Sequence, residues 1–299
     1  LGAYVNPVTS SPYPTPPANE SDLTTFEAQV GRKMALTQHY YAWTDPFPGE
    51  AVTEDYAEGR VPIESWGCGD TDANVAAGVD DATILIPQAL KLKALGKPIF
   101  LRWFWDMNSP STPTFRAVCY DPKTDAANGA FSPTEYIAAW QHIWTVFQQQ
   151  GATNVIFVWA PANVTGVPSG TPFYPGAGYV DWIGMDRFDS PSLNVPFAQT
   201  YTGAYQQLSA YVKPIMIAET GAANDQQSYF DPPSGPSDVT TLQTQLPFVK
   251  AYVYFDAVYN NYIGASHANY ILTDPTAPGN FATFAANPFF APFPNLAAP

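Results

Sequence analysis

Eight short runs of aliphatic, β-branched and aromatic residues recur along the chain, and a helical or helix-length segment separates each from the next. This alternation restricts the fold more than any other feature. The runs are Leu1–Val5, Lys33–Tyr41, Arg60–Trp66, Lys97–Trp105, Asn154–Ala160, Tyr179–Asp186, Lys213–Glu219 and Phe248–Asp256. VIFVWA is apolar throughout, and IFLRWFW is interrupted only by Arg102, the pattern of parallel strands covered on both faces. Helices are predicted at Ser21–Gly31, Asp80–Leu95, Ser132–Gln150 and near Thr200–Tyr211, with Gly31, Gly96 and Gly151 as stop signals and a long loop through Pro46–Gly59. A doubly wound open sheet needs the same alternation, so the count of eight decides for a (β/α)8 TIM barrel. With no linker or internal repeat, residues 1–299 are expected to form one domain.

Composition narrows the partners. There are 26 Asp and Glu against 12 Lys and Arg, a formal charge of −14, which disfavours nucleic acid. Charged residues are 13% of the chain, about half the usual share, while aromatic residues reach 15%. Rings beyond the needs of a core suit flat apolar ligand faces such as those of sugars. No run of 18 apolar residues predicts a membrane span, and Leu1 is not preceded by a basic n-region, as expected of a mature chain. Cys68 and Cys119, the only cysteines, predict one disulfide in a secreted, extracellular protein, with two buried thiols as the alternative. Asn19 and Asn163 open glycosylation acceptor triplets. His39, His142 and His267 are too scattered for a metal cluster, though His39 has a position from which to reach a cleft. Asp70, Asp72, Asp80 and Asp81 have part of a calcium-loop spacing, but Val75 stands at the required glycine and Asp81 at the required glutamate. No metal and no cofactor are expected, and no phosphate loop, dinucleotide fingerprint or Gly-x-Ser-x-Gly elbow is present.

In such a barrel the chemistry lies at the C-terminal strand ends. Asp106 follows the fourth strand and Glu219 ends the seventh. Opposed carboxyls at these ends suit glycosidic hydrolysis, in which one group protonates the departing oxygen and the other meets the oxocarbenium-like carbon or activates water. A strand-terminal acid is otherwise most often a cap or a loop anchor.

The order of several stretches then resembles glycoside hydrolase family 26, a group of β-mannanases, some β-xylanases and mixed-linkage β-glucanases. The stretches are Phe26–Arg32, Tyr41–Trp43, Pro62–Trp66, Lys97–Arg102 leading to Asp106-Met107-Asn108, Asn154–Pro161, Tyr174–Gly176 with Tyr179–Asp186, and Lys213–Glu219. The resemblance implies a retaining enzyme on a polysaccharide or oligosaccharide; the long rim loops give the expectation of endo action, and a secreted monomer is expected. Glu219 would be the nucleophile and Asp106 the acid/base. Two departures stand out. The family's His-Glu pair before Met-Asn is Trp105-Asp106 here, and the shorter acid leaves an inverting outcome open, because one methylene withdraws the carboxyl by about 1 Å. The family's tyrosine after strand six is replaced in Asp186-Arg187-Phe188. A catalytically inactive carbohydrate-binding protein on the same barrel is the alternative these changes raise.

Trp66, Trp105 and Trp159 are the expected sugar platforms because they lie at strand ends. Strict alternation along strand four puts Trp103 and Trp105 on one face, with Arg102 and Phe104 on the other. Arg102 matches a family arginine and serves either substrate or an internal ion pair. Asn108 either bonds substrate or caps its loop. Arg187 either places positive charge near Glu219 or bridges to Asp186 or Asp189. Phe188 completes the substrate-binding set.

Overall fold

The computed structural model describes residues 1–6, 20–109, 118–126, 131–163, 169–188, 196–222, 229–230, 237–260, 267–272 and 280–290. Its strands are β1 (Gly2–Asn6), β2 (Leu36–Tyr41), β3 (Val61–Trp66), β4 (Ile99–Trp103), β5 (Val155–Trp159), β6 (Trp182–Asp186), β7 (Ile215–Thr220) and β8 (Val249–Asn260). Each pairs in parallel with the next, and β8 pairs back onto β1 through Tyr4↔Phe255 and its neighbours, which closes the barrel. A short β9 (His267–Asn269) adds antiparallel to the far end of β8. The helices are α1 (Glu20–Val30), α2 (Glu50–Ala57), α3 (Asp72–Ala76), α4 (Ile86–Leu95), α5 (Pro133–Gln150), α6 (Phe197–Leu208), α7 (Asp238–Thr244) and α8 (Phe281–Ala285).

The predicted starts and stops are visible. Ser132 accepts the amide of Glu135 at the head of α5, and Gly31, Gly96 and Gly151 take left-handed conformations after their helices. Four pieces of sequence pattern were too short or too polar to read. Helix α2 lies inside the expected loop because EAVTEDYA has little apolar periodicity, and only Val52 and Asp55 of it are fully buried. Helices α3, α7 and α8 are five to seven residues each.

The barrel interior has two layers. Leu36, Ile63, Phe100, Val158, Met216, Ala218, Ala251 and Val253 fill the lower one. Its taper is tight at Gly184 of β6, where a Cβ would stand 2.5 Å from the Cβ of Ala160. Above it lie the polar site residues and a ring of aromatics, Tyr4, Tyr40, Trp105, Phe255 and Tyr270, with Phe188 packed against them.

His39 corrects one expectation. It points outward from β2, fully buried, and its Nε2 lies 2.7 Å from Asp55 Oδ2. Arg60 joins that carboxylate to Glu27, and Glu64 is buried beside them. Burial works to lower the His39 pKa, and its bond to Asp55 and the charge of Glu64 outweigh this and raise it. Burial pushes Glu64 up to about 8. Inward positions on β2 belong to Gln38 and Tyr40, so alternation itself excludes His39 from the cleft. His142, on α5, is bonded to Asp81 at 2.7 Å.

Candidate active site

Strand β4 delivers Arg102 into the barrel and then breaks its own pattern. Phe104 has φ +42° and Asp106 φ +57°, left-handed conformations that cost a non-glycine residue roughly 1–2 kcal/mol each. The regular alternation therefore ends at Trp103. Phe104 stays on the outer face with Trp103, packed on Phe131 at 5.0 Å and Tyr136 at 5.8 Å. Trp105 instead turns inward, with its ring 5.1 Å from the Arg102 guanidinium and 5.3 Å from Tyr40. The expectation that Trp103 and Trp105 share a face is thus overturned by a backbone reversal. The same turn presents Asp106, whose amide is held by the Ala160 carbonyl at 2.8 Å, beyond the end of β5.

Strand β7 carries a complementary irregularity. Ile217 pairs with Met185 and Glu219 with Asp186, while on the other side Ile217 pairs with Tyr252 and Thr220 with Tyr254. β7 thus holds one extra residue against both neighbours. A bulge of this kind re-aims the side chains beyond it. Met216 and Ala218 face inward, and after the bulge Glu219 also reaches the interior.

Arg102 is the hub. Its Nε donates to Ser65 Oγ at 3.1 Å, its Nη1 to both oxygens of Asp186 at 3.0 Å, and its Nη2 to Glu219 Oε1. Tyr40 donates its hydroxyl to the same Glu219 oxygen at 2.6 Å. In the orientation that satisfies its amide, Gln38 donates to the Ala218 carbonyl at 2.8 Å and offers its oxygen to Arg102 at 3.0 Å. Burial acts to lower the Arg102 pKa, but Asp186 and Glu219 outweigh it and raise it, so the guanidinium stays charged. Burial, and then the charge of Glu219, hold the Tyr40 hydroxyl well above its usual range, so it remains a donor. Burial also drives Asp186 well above the usual carboxylate range. Arg102 pulls it down, while Glu219 and a hydrogen-bonded Asp106 push it up.

The remaining expected site residues divide. Asn108 spends both ends of its amide on the backbone of Ala162, at 2.8 and 2.9 Å, and so anchors the loop after β5. Arg187 does not supply the charge beside Glu219; it donates to the carbonyls of Thr200 and Asn163, and Arg102 takes the electrostatic role. Asp189 lies outside the described residues. Phe188 is half-buried at the rim, 4.6 Å from Tyr270 and 5.7 Å from Phe255. Trp66 and Trp159 are not platforms in this structure. Both are 0% exposed, Trp66 stacked at 4.3 Å on Trp43 and Trp159 packed against Tyr174 and Tyr211. A strand's last residue faces out as often as in, and these two face away from the barrel interior. Sequence reading missed Gln38, Tyr40, Ser65 and the hub role of Asp186. A glutamine inside a strand buried throughout was the available signal for β2, and the strand-terminal test that found Glu219 applies equally to Asp186.

Cys68 and Cys119 form a disulfide with a Cα–Cα distance of 6.0 Å. The aspartates of the calcium-like stretch turn to different partners, Asp70 to Thr71 and Asn74, and Asp81 to His142. Among the described residues no group of three or more His, Cys, Asp or Glu is arranged to hold a metal ion, and no helix is long and apolar enough to cross a membrane. Asn19 lies outside the described residues.

Comparison with known proteins agrees with this geometry. The model of glycosyl hydrolase family 26 matches residues 124–270, a span that includes β5, β6, β7 and Glu219. Endoglucanase H of Acetivibrio thermocellus is 30% identical over 217 residues, covering 69% of this chain and 23% of that protein. The chain is similar to family 26 through this stretch. A second relative is the mannan endo-1,4-beta-mannosidase A and B of Caldalkalibacillus mannanilyticus, 30% identical over 97 residues, or 32% of this chain and 17% of the other. This chain therefore spans less than a quarter of either curated relative. A beta-mannanase from a symbiotic protist of the termite Reticulitermes speratus shares the fold, with a TM-score of 0.57 at 15% identity over 90% of this chain and 82% of the other. Asp106 lies outside the matched family span, so its assignment rests on the position that β4 and its reversed turn give it.

Proposed function

We propose that this chain is a secreted, monomeric family 26 glycoside hydrolase of β-mannanase type that cuts β-linked polysaccharide inside the chain with retention of configuration. One observation carries the reading. Glu219, at the end of β7, has one carboxylate oxygen bonded by both Arg102 and Tyr40, inside a barrel whose β4 end presents Asp106. Two donors on one oxygen stabilise the carboxylate and leave the other oxygen to act on the anomeric carbon. Asp106 would give its proton to the departing glycosidic oxygen and then take one from the water that releases the sugar from Glu219. Trp105, Phe188, Tyr270 and Phe255 supply rim aromatics for sugar faces. The disulfide supports export, and the shortage of charge suits a neutral substrate.

The test is reducing-end release from mannan, xylan and β-glucan by the wild type, Glu219→Gln and Asp106→Asn. Both variants are expected to fold and to lose at least about a hundredfold in rate, within the range of acid–base catalysis. Normal turnover by either removes that residue from the mechanism, and sugar binding without cleavage by the wild type makes the chain a binding protein. Proton NMR of the first-formed product is expected to show the substrate's anomer; the opposite anomer makes the pair inverting.

A further inference from the structure

We propose that Asp106 and Asp186 work as one proton-sharing pair, with Asp186 the positioning residue that keeps a proton on Asp106 and Arg102 the link between the pair and Glu219. The inference rests on the hydrolase reading and deepens it. Its basis is geometric. Asp186 is 2% exposed, receives Arg102 Nη1 on both oxygens at 3.0 Å, and has the Asp106 carboxyl within hydrogen-bonding reach. An ionised carboxylate can only accept, so a hydrogen bond between two carboxyl groups requires a proton on one of them.

The charge count leads to the same place. The groups facing Asp186 are Arg102 from β4, Glu219 from β7 and Asp106 from the turn after β4, while Tyr40 from β2 reaches Glu219. One buried guanidinium cannot balance three ionised carboxyls. A single proton shared by Asp106 and Asp186 removes the excess, as it does wherever two carboxyls occupy one site. The residue before the acid is Trp105, whose ring lies against Arg102 and has no basic nitrogen, so the second carboxyl is the available proton partner.

The cycle balances. In the first step a Glu219 oxygen bonds to the anomeric carbon, the glycosidic C–O bond breaks, and the leaving oxygen takes the shared proton. Glu219 becomes a neutral ester as the pair becomes doubly ionised, so the site's net charge is unchanged. Arg102, with one anion fewer on Nη2, still holds Asp186 through Nη1. In the second step a water oxygen bonds to the anomeric carbon, its proton enters the pair, and Glu219 leaves as a carboxylate. Because Arg102 bonds both Asp186 and Glu219, consuming the charge on one favours ionisation of the other.

The test is carbon NMR titration of protein labelled at aspartate Cγ, with kcat/KM against pH on the glycan from the panel that the wild type cleaves fastest. Asp106 and Asp186 are expected to titrate together in two steps. In Asp186→Asn the midpoint of Asp106 should fall by more than one pH unit, and the alkaline limb of kcat/KM should fall with it. The rate on a dinitrophenyl glycoside, which needs no proton to depart, should fall less than the rate on the glycan. An Asp106 midpoint unmoved in folded Asp186→Asn overturns the pair, as does a loss of rate at every pH with the limb in place. Should that variant not fold, Asp106→Asn must shift the Asp186 titration in the same experiment, and no shift overturns the proposal. Coupled titration in a wild type that cleaves no glycan supports the pair and refutes the hydrolase reading.

Discussion

Replacing Arg102 with methionine tests the hub most severely, because it removes the charge and leaves a side chain of similar reach. The guanidinium is 0% exposed and bonds Ser65, Asp186 and Glu219. Removing one partner of a buried ion pair costs about 3–5 kcal/mol, since the stranded carboxylates keep their desolvation penalty. At about 2.1 cal/mol/K of unfolding entropy per residue, a domain of this size loses roughly 1.6 °C per kcal/mol, so the melting temperature should fall by ~5–8 °C at neutral pH. The sign of the pH dependence follows from linkage. Carboxyls stranded in the fold bind protons more tightly there than in the unfolded chain, so the deficit is full near neutrality and shrinks as pH falls toward about 4. Calorimetry of wild type and Arg102→Met at several pH values from 4.5 to 7.5 measures this. An equal deficit across that range would show that lost packing against Trp105 and Tyr40 explains the change, and the electrostatic account would fail. Arg102→Lys should recover part of the stability, because it keeps the charge, but little of the activity, because one ammonium cannot reproduce the bonds to Asp186, Glu219 and Ser65 together.

Two further outcomes are expected. Tyr40→Phe removes one of the two donors to Glu219 Oε1, a bond to a charged group worth about 1.5–3 kcal/mol, and should lower kcat/KM by roughly ten- to a hundredfold with the melting temperature down by no more than ~2–5 °C. A loss of folding in place of a loss of rate would make Tyr40 structural. Glu64, pushed up to about 8, holds its proton in the fold over a range where the unfolded chain releases it, so its contribution is complete below about pH 4 and is lost as pH rises through about 8. Glu64→Gln cannot ionise, and its melting temperature relative to wild type should rise between pH 5 and pH 9. A difference constant over that interval would refute the burial of an ionisable Glu64.

The strands were legible because a strand buried on both faces needs an unbroken apolar run, and such runs are local. Their ends were less so. Trp103 and Trp105 were assigned one face because alternation continues in sequence pattern even where the chain does not follow it, and the reversal at Phe104 and Asp106 leaves no glycine to mark it. Glu219 was found as a strand-terminal acid, but its inward aim depends on a bulge measured against β6 and β8. Trp66 and Trp159 occupied the right strand ends on the wrong faces, and His39 was one position out of phase with Gln38 and Tyr40.

What the sequence alone determined is the order of elements, the closed eight-stranded count, the paired cysteines and the two strand-terminal acids, all properties of contiguous residues or of residue type. What only the tertiary structure decided is which groups meet. Arg102 reaches Asp186 and Glu219 across 84 and 117 residues, and Tyr40 reaches Glu219 across 179. No local pattern encodes those distances. They are set when β8 closes on β1 and the bulge in β7 and the turn after β4 aim their side chains at a common centre, where low dielectric makes each partner count.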